Sequence, residues 1–279
     1  MHKKVGLLGP VALVCFAGTA HAQLLVENFD NMLALEGQGW TIVNSSTPPL
    51  TNPGWFQGNP AVWEAHQGSP EAWAASNWAR TAGLNGTETL STWMITPVLT
   101  VTNGTTINFW TRTVDGGFYP DRMQVRLSTL GASSVIPAEG EPEQVGSFTN
   151  LLLDINPNLT TTGYPFVWTE YNVPITGLSG PTPVRIAFRY YVHNGGWNGV
   201  NSNYVGVDTL TVTAGTGGGC YANCDNSTQP PILNVADFSC FLTKFAAQDP
   251  YANCDGSTVA PVHNVADFSC FLTKFAGGC

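Results

Sequence analysis

VRIAFRYYV, residues 184–192, sets Val184, Ile186, Phe188 and Tyr190 against Arg185, Ala187 and Arg189. A helix would scatter these apolar side chains around its axis, whereas an extended chain sends alternate residues to opposite faces. The stretch reads as a half-buried antiparallel strand. MQVRLS, residues 123–128, repeats the pattern with Met123, Val125 and Leu127 against Gln124, Arg126 and Ser128. Further strands are expected at 24–27, 93–100, 107–113, 168–173 and 204–213. Clusters rich in Gly, Pro and Asn at 47–54, 116–120 and 193–203 separate them. Many short strands without a long helical pattern predict a mainly β protein, a two-sheet sandwich.

Composition agrees with this reading. The 279 residues include 30 Gly and 19 Pro, and only 10% are charged, a profile of strands joined by turns. Residues 1–22 carry a basic start (His2, Lys3, Lys4), an apolar stretch from Val5 to Ala17 and Ala20-His21-Ala22. These are the marks of a signal peptide cleaved after Ala22, too short in its apolar part for a membrane span. Removing Lys3 and Lys4 takes the formal charge from -9 to -11. An acidic exported chain has little attraction for nucleic acid. Secretion or attachment at a cell surface is the expected location, with no transmembrane span after signal cleavage.

The blocks VENFDN, QGW, TWMITPVLTV, INFWTRT, YPDRMQVRLST, VRIAFRYYV and NYVGVDTLTV follow one another along residues 23–213. In that order they resemble the choice-of-anchor J domain, which is similar to cleaved-adhesin and MAM-like jelly-roll domains. The resemblance implies a jelly roll, a noncatalytic adhesion or ligand-binding role, and a structural calcium ion near the chain ends. Glu27 and Asp30 flank the end of the first strand and Asp208 lies in the last. Neighbouring terminal strands would bring these hard oxygen ligands together; the alternative is solvated edge charges and a ladder residue.

All nine tryptophans fall between residues 40 and 197. Trp55, Trp63, Trp73 and Trp78 stand among Gln57, Asn59, His66 and Gln67 in a loop-rich stretch. Two readings are open: an exposed aromatic strip that stacks on sugar rings, or a long loop folded over the sandwich and pinned by its own aromatics. No H-E-x-x-H or G-x-S-x-G spacing is present, so no catalytic residues are assigned. GEPEQVG, with Glu141 and Glu143, reads as a solvated hairpin tip.

A Gly-rich linker at 214–219 leads to a tandem repeat of thirty-residue period, in which Cys224 matches Cys254 and Cys240 matches Cys270. In each copy a polar loop precedes NVADFSCFLTKF, whose Phe238, Phe241, Leu242 and Phe245 form one apolar helical face. A single such face cannot be buried alone, so the two helices are expected to pack together. Cys220, Cys224, Cys240, Cys254, Cys270 and Cys279 form an even set in a small exported module, a disulfide framework. Pairing within each repeat and pairing between repeats both satisfy the symmetry, with Cys220 and Cys279 left to close the module.

Loop followed by helix, duplicated, with acids in the loop, resembles a dockerin. The cysteines bring residues 220–279 closest to the GC-type dockerin tail of exported planctomycete proteins. The resemblance implies calcium loops: Asn223, Asp225, Ser227, Asn234 and Asp237 in the first copy, and Asn253, Asp255, Ser257, Asn264 and Asp267 in the second. Neutral residues at the first and fifth positions and loops three residues longer than twelve point to modest affinity. It also implies a partner, a cohesin-like or other envelope protein. The expectation is an exported noncatalytic adhesin-like module tethered by its tail. The alternatives are a carbohydrate-binding module and a secreted hydrolase.

Overall fold

A computed structural model describes residues 22–178, 180–215, 221–225, 227 and 231–278. The signal peptide, most of the Gly-rich linker, Cys220 and Cys279 lie outside these residues.

Twelve strands run in chain order: β1 (Gln23–Glu27), β2 (Thr41–Asn44), β3 (Phe56–Gln57), β4 (Ala74–Asn77), β5 (Glu88–Ile95), β6 (Leu99–Val101), β7 (Thr106–Thr113), β8 (Met123–Ser128), β9 (Asn150–Ile155), β10 (Thr169–Pro174), β11 (Thr182–Gly195) and β12 (Tyr204–Thr213). They form two antiparallel sheets. In the first the order is β10-β7-β12-β4-β3, with β1 also on β12; in the second it is β2-β5-β11-β8-β9, with β6 also on β11. The two-sheet sandwich is therefore present, and VRIAFRYYV lies at the centre of the second sheet, between β5 and β8.

The inward residues of both sheets share one core, in which Phe109 packs edge-on against Phe188 with ring centroids 5.0 Å apart. The single strand expected at 93–100 is two strands. Pro97 has no N–H to give the ladder, so β5 stops at Ile95 and β6 begins at Leu99. Thr96 bridges the break, donating its backbone N–H to Ile186 O (2.9 Å) and accepting the Ile186 N–H on Oγ1 (3.0 Å). Strands β2, β3, β4 and β9 were not legible. They are two to six residues long and lack clean apolar-polar alternation.

Loops roof parts of both outer faces. Over the second sheet, Phe148 with Ile136 and Val145 covers Trp93, Ile95 and Ala187. GEPEQVG belongs to this roof and is more than a solvated tip: Pro142 O accepts from the Arg189 guanidinium and Glu143 from the Tyr191 hydroxyl. Arg189 is buried, lies over the Tyr191 ring at 3.6 Å and donates to Ser91 Oγ (3.0 Å) and Gln124 Oε1 (3.1 Å). Burial lowers its pKa to about 9, so hydrogen bonds and ring faces hold this cation in place.

In the tail, α1 (Val235–Ala246) and α2 (Val265–Gly277) pack on each other through Phe241 and Phe271, stacked at 4.1 Å and 18°. Cys224 is bonded to Cys240 and Cys254 to Cys270, so pairing within each repeat is the arrangement found. Tyr221 and Tyr251 stack at 4.7 Å and each donates its hydroxyl to the other's carbonyl. Lys274 lies over the Tyr221 ring and Lys244 over Tyr251. The duplicated sequence thus becomes a pseudo-twofold module with a small shared core. Among the described residues no helix is long and apolar enough to cross a membrane.

Candidate functional site

Of the four tryptophans proposed as a sugar-stacking strip, three are buried. Trp55 fills the sandwich core, and Trp63 and Trp73 stack on each other at 4.8 Å. Gly206 lets this roof settle: a Cβ there would meet the Trp73 and Trp168 rings at 2.9 Å. The loop 58–73 is folded across the first sheet and pinned by its own aromatics, which is the second of the two sequence readings. Large flat side chains gain more from burial than from display.

Trp78 is different. It is half-buried at one end of the sandwich, and Trp197 packs edge-on against it with centroids 4.8 Å apart and an interplanar angle of 69°. With Tyr119, Ser202, Asn203 and the backbone at Gly196 and Gly199, the pair lines an open groove of about 240 Å³. Trp197 is 65% exposed and Tyr119 50%. Exposed aromatics grouped on loop tips mark recognition surfaces. Sequence reasoning missed Trp197, Tyr119 and Asn203, although one cue was available: Trp197 stands in the Gly-rich run GGWNG, residues 195–199, where no strand would bury it.

The groove is rigidly built. Asp121, buried behind it, accepts hydrogen bonds from Tyr190 Oη (2.6 Å), from Asn203 N (2.7 Å) and from the Thr113 hydroxyl. Burial raises its pKa, with those donors acting in the opposite direction. Ser202 N donates to Pro120 O (2.9 Å), Ser202 Oγ accepts from Gly196 N (3.0 Å), and Trp78 N donates to Asn203 O (2.9 Å). Asn198 Nδ2 donates to Leu84 O at 2.6 Å, which ties in a third loop. That loop turns at Gly86, with φ +76°, where a Cβ would lie 2.3 Å from Asn198 O. Among the described residues, no carboxylate, histidine or cysteine lines the groove itself. Its chemistry is two aromatic surfaces beside an amide and a hydroxyl.

Solved structures to which the chain is similar include two cleaved adhesin domains of Lys-gingipain. The K1 domain, from Porphyromonas gingivalis W83, is 21% identical, with 68% of this chain and 97% of that one covered and a TM-score of 0.45. The K2 domain is 22% identical, over 69% and 99%, with a TM-score of 0.45. A family 11 carbohydrate-binding module from Clostridium thermocellum is 11% identical, over 71% and 98%, with a TM-score of 0.32. No family model and no curated protein matches the sequence.

The carboxylates assigned to calcium are only partly brought together. Glu27 and Asp30 are close enough to interact. Burial raises the pKa of Glu27, Asp30 adds to the rise, and the Phe29 N–H (2.8 Å) opposes it. Neither takes part in an ion pair among the described residues. Asp208 lies two residues from Leu210, the β12 partner of Glu27, and its carboxylate is already hydrogen-bonded. Its Oδ2 accepts from His66 N (2.8 Å) and Gln67 N (3.1 Å) and its Oδ1 from Thr209 N (2.6 Å), which anchors the 58–73 loop to a bulge in β12. Burial nevertheless raises its pKa to about 6.

In the tail, Asn234 and Asp237 form a capping box at the start of α1. Asp237 Oδ2 accepts from Asn234 N (2.9 Å) and Oδ1 from Asp225 N (3.2 Å). Asn264, Asp267 and Asp255 repeat this at α2. Asn223 and Ser227 bond to each other across the first loop, as Asn253 and Ser257 do across the second. At the first loop position the described residues differ: Asn223 Oδ1 accepts from Ser227 N (3.0 Å), whereas Asn253 Oδ1 is buried without a partner. Among the described residues, no three His, Cys, Asp or Glu side chains gather as a metal site.

Proposed function

We propose that residues 23–213 are a noncatalytic, adhesin-like binding module that takes carbohydrate in the Trp78–Tyr119–Trp197 groove. The carrying observation is Trp197, mostly exposed yet fixed against Trp78 in a loop cluster stitched by Asp121. A flat apolar ring beside an amide and a hydroxyl matches a pyranose, which has an apolar face and a polar rim. Affinity electrophoresis and calorimetry of the full chain against a panel of plant, algal and microbial polysaccharides test the reading. Trp197→Ala should weaken binding by roughly 30-fold, about 2 kcal/mol for an aromatic anchor, without moving the thermal midpoint of the sandwich. Undiminished binding would sink it.

The remainder of the proposal concerns location and the tail. The chain is exported through residues 1–22, and residues 220–279 hold it on a cell surface or an extracellular assembly by binding a cohesin-like or other envelope protein. Two disulfides in a small helical module suit an oxidising compartment. Capture from envelope extracts by the full chain, and its loss on removal of 220–279, is the test.

Calcium fits the second loop better than the first. Asn253 Oδ1 is a buried oxygen lacking a donor, and Asp255 and Asp267 add carboxylates. Burial acts to raise the pKa of Asp267, but the Asn264, Asp255 and Cys254 N–H groups outweigh it and hold it below the usual range. When bound, the ion would supply charge neutralisation and loop closure. Glu27 and Asp30 would hold the sandwich's ion, with Asp208 kept in its anchoring role. Calcium at 100 times its dissociation constant adds about 2.7 kcal/mol. The helical melting transition should therefore rise on adding calcium, fall with EDTA and respond less in Asp255→Asn. No shift in any of the three would remove calcium from the tail.

A further inference from the structure

The roof over the first sheet stops at His66, whose ring stacks on Trp110 at 3.8 Å and 14°. Beyond this wall the described residues of the outer face are exposed or half-buried. Asn108 on β7 stands directly opposite Asn172 on β10 and, on its other side, Thr211 on β12, so the three form one row across the strands. Glu170 stands opposite Trp110 in the next row. Asn108 Nδ2 donates to Glu170 Oε1 (2.5 Å) and to Asn172 Oδ1 (2.7 Å), which holds the row in a defined geometry. Glu170 and Asn172 are exposed, and Asn108, Trp110 and Thr211 are half-buried.

The chemistry narrows what could lie here. No cation is among these residues, and Glu170 on a chain of formal charge -9 repels a polyanion. The row runs on to one exposed apolar residue, Val26 of β1 opposite Thr211, too little apolar surface for a lipid or an amphipathic helix. Carboxamides and hydroxyls both donate and accept, as the hydroxyls of a sugar do. Adjacent strands are about 4.8 Å apart, close to the advance of one sugar unit along an extended chain. Successive units would meet Asn172, Asn108 and Thr211 in turn, with the edges of Trp110 and His66 as an apolar side wall.

We propose that this row is a second carbohydrate site, taking an extended neutral glycan laid across the strands, separate from the loop-end groove. The test uses the full chain carrying Trp197→Ala, so that the groove is weakened, titrated calorimetrically with cellohexaose, xylohexaose and mannohexaose. At least one should bind, and adding Asn108→Ala with Asn172→Ala should lower its affinity by about tenfold or more at an unchanged thermal midpoint. Glu170→Gln, which keeps the shape and removes the charge, should change affinity by less than about threefold. The site is overturned if none of the three binds the Trp197→Ala chain, or if the double alanine variant binds as tightly as its parent. Failure of the groove is a separate result: Trp197→Ala would then leave total binding as it was.

Discussion

Asp121→Ala should cost the sandwich roughly 3 kcal/mol, because it leaves the Tyr190 hydroxyl and the Asn203 N–H without their acceptor and the Thr113 hydroxyl with Tyr204 O alone. Each buried donor stripped of its partner costs about 1–3 kcal/mol, and relief from burying a carboxylate offsets part of the sum. For a unit of this size that corresponds to a fall in melting temperature of roughly 10 °C. Asp121→Asn keeps an acceptor for two of the donors while turning an amide N–H₂ toward the third, so its loss should be about half as large. Denaturant titration followed by tryptophan fluorescence measures both. An Asp121→Ala midpoint indistinguishable from the parent would mean that water satisfies these donors and that the carboxylate does not stitch the loops. The same variant should weaken ligand binding in the groove, since Asn203 lines it and Tyr119 stands two residues from Asp121.

Phe241→Ala should unfold the tail and leave the sandwich intact. Phe241 is buried against Phe271 in a core that also draws on Phe238, Phe245, Phe268 and Phe275. Truncating a buried phenylalanine costs about 3–5 kcal/mol, a large share of what a core this small supplies even with disulfides. The two α-helices of the described residues lie in the tail and all nine tryptophans between 40 and 197, so two spectroscopic signals separate the parts. Helical circular dichroism should be lost while the tryptophan emission maximum stays in place. Phe271→Ala should match it within about 1 kcal/mol, because the repeats are related by a pseudo-twofold and the residues occupy equivalent positions. If only one of the two unfolds the tail, the repeats are not energetic equals.

These expectations differ in how far they were readable beforehand. The period-two runs at 123–128 and 184–192 specify strands because one face of each is buried and the other carries arginines. Those arginines also misled. Arg189 looks solvent-facing by alternation, yet it is buried under the loop that brings Pro142 over it. Local pattern records which face a side chain takes and is blind to a roof formed by residues forty or more positions away. Burial of Trp63 and Trp73 was hidden for the same reason: both meet Trp168, and Trp73 meets Gly206, only after the sheet has formed.

By itself, the sequence determined what depends on short-range periodicity and duplication: β strands, a helix in each repeat, the need for the two helices to share a core, and cysteines placed for staples. Alternation and heptad-like spacing are properties of neighbouring residues, so no fold is needed to see them. Pairing of Cys224 with Cys240, burial of three of the four candidate tryptophans, the diversion of Asp208 to three backbone N–H groups, and the meeting of Trp78 with Trp197 were decided only in three dimensions. Each depends on contacts between residues far apart in the chain. Such contacts are selected by the packing of whole sheets and loops, which no local pattern encodes.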